Sequence, residues 1–175
     1  MVGVGAEQQL HLVRNCSWVP GVFKIRLEDF KCCSDRTTDL PNGGYNCIAW
    51  AAGKKDNWWW PSDIAGAAHW PKGLPKEPTD QETVVNFIKA FETEGYSVCE
   101  NADFEDGFEK IAIYVNPAGR PLHAARSLPS GVWTSKLGKG EDIEHKTLEV
   151  IEGINYGKAT FFLKRSIHRV PNQPT

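Results

Sequence analysis

Hydrophobic and polar positions change rhythm twice along the 175 residues. At VFKIRL (22–27) apolar and basic residues alternate with period two, which predicts a strand. The polar stretch 32–44, with Pro41 and two glycines, predicts a loop. CIAWAAG (47–53) is short, small and apolar, and predicts a one- to two-turn helix stopped by Gly53. After WWWP (58–61), residues 62–80 show no period and carry Pro71, Pro75 and Pro78. Loops of that length in compact domains are usually functional or packed by their own side chains. The clearest helical spacing follows at Val84, Phe87, Ile88 and Phe91, with Gly95 as its stop and a capping-box pattern at TDQE (79–82) as its start. That stripe reads as core packing.

Beyond Gly95 the period falls to two. Residues 96–99 and KIAIYV (110–115) predict strands, and NPAGRP (116–121) a turn. LHAARSL (122–128) and VWTSKL (132–137) predict a hairpin closed at Pro129-Ser130-Gly131. GKG (138–140) turns into EDIEH (141–145); residues 148–153 suggest a short helix and GKATFFLKRSI (157–167) a last strand. No repeat or linker divides the chain. It reads as one domain over 1–175, with its core at about 16–169, helices first and an antiparallel sheet after: an α+β arrangement.

Composition narrows function mainly by exclusion. With 41% hydrophobic and 24% charged residues the chain is ordinary for a globular protein. A net charge of -2 argues against a nucleic-acid partner, which would need a basic footprint. No apolar run reaches the length of a membrane span and no charged-then-apolar leader is visible. The expectation is therefore cytoplasmic, with no membrane partner and a non-classical secretion route left open. Five cysteines, Cys16, Cys32, Cys33, Cys47 and Cys99, form an odd set without C-x-x-C spacing. Neither a disulfide framework nor a metal is expected, and no cofactor is implied.

The candidate chemistry centres on Cys47. A Gly-rich turn delivers it to a helix start, where unpaired N–H groups and the positive dipole end favour thiolate. Of the five histidines, His123 is best placed, just inside a strand and followed by the small Ala124 and Ala125. A Cys–His pair needs a third group to hold the imidazole. If the hairpin loop is Pro129-Ser130, Lys136 lies opposite His123, and a one-residue slip would bring Ser135 across. Asp142 is preferred over Ser135 and Glu141, on the idea that Gly138 and Gly140 fold the acidic pair back toward the strand ends. Trp58, Trp59, Trp60 and Trp70 form either a core wall or the wall of a substrate cleft.

The order of Cys at a helix start, His at a strand start and then a polar partner resembles the papain-like cysteine peptidase superfamily. YNCIAWAAG (45–53), WWWP (58–61), HAARSLPSGVWTSKLG (123–138) and EDIEH (141–145) resemble more closely a mostly bacterial family of papain-like domains, over about residues 40–165. The resemblance implies a papain-like fold with Cys47 as nucleophile and His123 as base. Papain's oxyanion glutamine has no counterpart at its spacing; Asn46 and Asn42 are the nearest candidates for oxyanion binding. Trp133 to Gly138 resembles the region where papain places its asparagine, and no asparagine stands there.

The expectation is a cysteine-dependent acyl-transfer enzyme of the Cys-His-Asp type acting on a peptide or other amide-containing substrate. Hydrolysis would make it a peptidase, an amidase or a deamidase-like enzyme, and an amine acceptor a transglutaminase-like one. Trp58, Trp59 and Trp60 are the expected substrate-binding residues. The competing expectation is a non-catalytic papain-like binding module, or a toxin- or immunity-associated interaction domain.

Overall fold

The computed structural model describes residues 30–32, 44–62, 68–76, 82–138 and 142–167. The expected strand at 22–27, the Thr79 cap, Asn42, Glu141, Cys16, Cys33, His11 and His168 lie outside them. Among the described residues, the fold is α+β. One seven-stranded antiparallel sheet carries β1 (Phe30–Cys32), β2 (Ser97–Cys99), β3 (Phe108–Val115), β4 (Pro121–Ser127), β5 (Trp133–Lys136), β6 (Asp142–His145) and β7 (Lys158–Ser166), in the order β1-β6-β5-β4-β3-β7-β2. Two helices join them: α1 (Cys47–Ala51) and α2 (Val84–Glu92). A 3-10 turn covers Leu148–Ile151. No helix among the described residues is long and apolar enough to cross a membrane.

Local chemistry explains most boundaries. The side chain of Asn46 accepts the Ala49 N–H and starts α1. Thr83 caps α2 by accepting the Asn86 N–H, and Glu82 before it accepts the Trp60 indole N–H and pairs with Arg120. Asn116 accepts the N–H groups of Ala118 and Arg120, folding the turn between β3 and β4.

The hairpin from β4 to β5 decides the placement of the site. The Leu128 N–H bonds to the Val132 carbonyl, so the loop holds three residues, Pro129, Ser130 and Gly131. Gly131 has φ +83, the left-handed backbone that such a loop requires. The third residue shifts the register from the expected one, and Ala125 pairs with Ser135. Since side chains alternate faces, this single residue moves Ser135 onto the face of His123 and Lys136 onto the other.

Two cores result, one on each side of the sheet. Against α1 and α2 lie Ile111, Ile113, Ala124 and Leu163, with Phe87, Phe91, Trp59 and Trp70. The opposite face buries Ala112, Tyr114, Ala125, Trp133 and Ile143 under Leu148 and Ile151. Asp142–His145, given no element by the sequence pattern, forms β6, where Ile143 pairs with Ser135 and Glu144 with Thr134 of β5.

Candidate active site

Cys47 opens α1 because Asn46 holds the helix start in place. The Asn46 Oδ1 accepts from the Trp59 N–H at 3.1 Å as well as from Ala49, and its Nδ2 donates to the Trp59 carbonyl at 2.7 Å. One buried amide thus caps the helix and pins the WWWP segment to it. The Cys47 sulfur faces three backbone N–H groups: its own, that of Ile48, and that of Ala124 on β4. Ala124 is free to reach it because the β4–β5 ladder ends at Ala125↔Ser135. These donors favour thiolate, but burial opposes it more strongly and pushes the thiol up to about 11. The resting group is a thiol, contrary to the depressed pKa expected of a helix-start cysteine.

His123 precedes Ala124 and is fully buried. Strand alternation turns its ring to the face opposite α1, so the sulfur meets β4 at the backbone beside the histidine rather than across an open groove. The ring packs edge-on against Tyr114 at 5.3 Å and Tyr156 at 4.9 Å between centroids. Tyr156 borders both groups: burial raises its phenol pKa first, and the neighbouring Cys47 sulfur adds to the shift. Gly157, at φ +83, fixes that loop, since a Cβ there would stand 2.3 Å from the Val115 carbonyl oxygen.

The His123 Nε2 lies 3.1 Å from Ser135 Oγ, which lies 2.9 Å from His145 Nε2. The His145 Nδ1 lies 2.8 Å from the Thr147 carbonyl oxygen. The His123 Nδ1 is buried without a hydrogen-bond partner, Cys47 included. Burial, and then the nearby His145, lower the His123 pKa to about 3, and burial lowers that of His145. Both rings are neutral at pH 7.

Asp142 does not join this set. It pairs in register with Lys136 on the α1 face, where it accepts the Tyr45 hydroxyl at 2.6 Å and sits 3.4 Å from Lys136 Nζ. Ser135, the alternative to Asp142, faces His123 instead, and the reason is the extra loop residue at Gly131. Asn46 is likewise corrected from oxyanion donor to structural strap, because its oxygen and amide nitrogen are committed to Ala49 and Trp59. Asn42 lies outside the described residues.

The tryptophans are mostly walls of the core. Trp59 is buried and its ring lies 5.0 Å from that of His69. Trp60 packs edge-on against Phe87 and donates its indole N–H to Glu82, which leaves Trp58, half-buried, as the indole least committed to the core. The residue sequence reasoning missed is His145. Its signal was present in the alternation of EDIEH, where Ile143 and His145 share one face once the segment is read as a strand.

The described residues thus set a buried cysteine at a helix start against the backbone of a histidine-bearing strand in an α+β frame. Residues 34–164 match the model of a family described as a domain of unknown function (DUF7689), and the chain belongs to that family. No curated protein and no solved structure matches it.

Proposed function

We propose that the protein is a papain-like cysteine-dependent acyl-transfer enzyme, with Cys47 as nucleophile and His123 as base. The observation that carries this reading is a buried cysteine opening α1, packed against β4 where Ala124 follows a buried histidine whose Nδ1 has no partner. A neutral thiol and a neutral imidazole are chemically competent if the proton moves as the carbonyl arrives. For this the His123 ring, on the other face of the sheet, has to reach the sulfur past the end of the β4–β5 ladder; the S–H proton then passes to its Nδ1 as sulfur bonds to the carbonyl carbon of an amide. The electron pair goes to oxygen, where the Cys47 and Ile48 N–H groups are the nearest donors. Collapse breaks the C–N bond, and the imidazolium returns its proton to the leaving amine. Water or an amine then releases the acyl group from sulfur.

The test is alkylation of Cys47 by iodoacetamide across pH, with an epoxide probe as a second reagent. Cys47→Ala abolishes probe labelling, and His123→Ala slows alkylation at neutral pH by about a hundredfold, the range expected for loss of a general base. Unchanged alkylation in His123→Ala removes the reading.

One observation favours a second reading. Cys47 is only 7% exposed and its thiol is held un-ionised, as suits a non-catalytic papain-like interaction module in which Cys47 and His123 are packed neighbours. In that case neither reagent reaches Cys47 until the protein unfolds.

A further inference from the structure

The hydrogen-bond chain behind His123 has a direction, and it can be deduced from its far end. The Thr147 carbonyl oxygen only accepts, so the His145 Nδ1 facing it at 2.8 Å carries a proton. A neutral ring has one N–H, which leaves His145 Nε2 as an acceptor. Ser135 Oγ, 2.9 Å away, therefore donates its single hydroxyl proton to His145. Toward His123 the same oxygen can only accept, so the Nε2 of His123, at 3.1 Å, carries the proton. By the same count His123 Nδ1 is a bare lone pair, and it is the atom left buried and unpartnered.

We propose that His145 is a positioning residue that, through Ser135, locks His123 in the Nε2–H tautomer and keeps its Nδ1 free to take the thiol proton. This rests on the Cys47–His123 reading for its catalytic meaning, though not for its geometry. A carboxylate in the place of Ser135 would orient the ring equally well but would add a counter-charge that draws a proton onto it. The serine–histidine chain sets the tautomer without charge, so His123 stays an unprotonated base at neutral pH.

Long-range proton–nitrogen correlation spectra of the ¹⁵N-labelled protein read histidine tautomers directly. The wild type should show His123 protonated on Nε2 and His145 on Nδ1. In His145→Phe, Ser135 loses its acceptor and turns its proton toward His123. The His123 proton then moves to Nδ1, and Cys47 alkylation falls by at least about tenfold. His145→Gln, whose amide oxygen can accept from Ser135, restores the Nε2–H tautomer and brings alkylation to within about threefold of wild type. A folded His145→Phe with His123 still on Nε2, or a wild type with the proton on Nδ1, overturns the proposal. If His145→Phe does not fold, Ser135→Ala replaces it: a mixed His123 tautomer supports the relay and an unchanged one overturns it. The spectra do not involve sulfur. Tautomers as stated, with alkylation indifferent to His123→Ala, would remove the enzyme reading and leave the relay standing.

Discussion

The two faces of the central sheet solve the problem of burying polar groups in opposite ways. On the α1 face, Lys136 and Asp142 form an ion pair closed by the Tyr45 hydroxyl, with the Lys136 Nζ also 4.8 Å from the Tyr45 ring centroid. On the other face, His123, Ser135 and His145 are linked without any formal charge. A charged pair holds position by attraction and is costly to break on one side. A neutral chain is held by the polarity of its hydrogen bonds, and the His123 Nδ1 at its end has no partner. Lys136 and Ser135 are neighbours in β5, so strand alternation alone assigns them to these separate systems.

That contrast can be broken or sharpened by substitution. The largest stability effect falls on the strap that places Cys47: Asn46→Ala removes the α1 cap and orphans the N–H and carbonyl of buried Trp59, a loss of about 4 kcal/mol in denaturant unfolding. Cys47 then alkylates faster, because the helix start loosens. Next is Asp142→Asn, which removes the carboxylate charge set against buried Lys136 and costs about 2 kcal/mol, reduced from the fully buried case because the carboxylate is partly exposed. Its decisive feature is what it spares. His123→Ala slows Cys47 alkylation and Asp142→Asn does not; a tenfold or greater drop in Asp142→Asn would mean the two faces are coupled.

The smallest effect is graded with pH. His123 is held at about 3 in the folded protein against about 6.5 unfolded. Below the unfolded value the denatured chain binds a proton that the folded chain refuses. Stability is therefore full above about pH 6.5 and falls toward pH 3, by up to about 1.4 kcal/mol per unit for this histidine. His145 adds to the same slope. His123→Gln should flatten this acid limb in urea titrations, whereas Tyr45→Phe on the other face should leave it unchanged.

Much of the site was legible from local pattern. Gly-rich chain followed by CIAWA marks a helix start at Cys47, and LHAARSL marks a strand carrying His123, because capping and alternation act over a few residues. The third partner was not legible in the same way. Asp142 and Ser135 were both in view, and the choice between them turned on whether Gly131 belonged to the loop. The role of His145 depended in turn on reading EDIEH as a ladder strand, which no short-range signal required. The tryptophan run was equally ambiguous: aromatic bulk says that area is buried, and only packing against Phe87 shows Trp60 against the core rather than walling a cleft.

The sequence by itself determined the α+β class, the helix start that presents Cys47 and the strand that carries His123, since each depends on interactions among near neighbours. The strand Phe30–Cys32 ahead of α1 departs from the expected helices-first order. Tertiary structure alone decided which polar groups share a face and whether the thiol is ionised. Register is set by one loop residue acting at a distance, and the pKa of Cys47 by how much water the assembled core excludes.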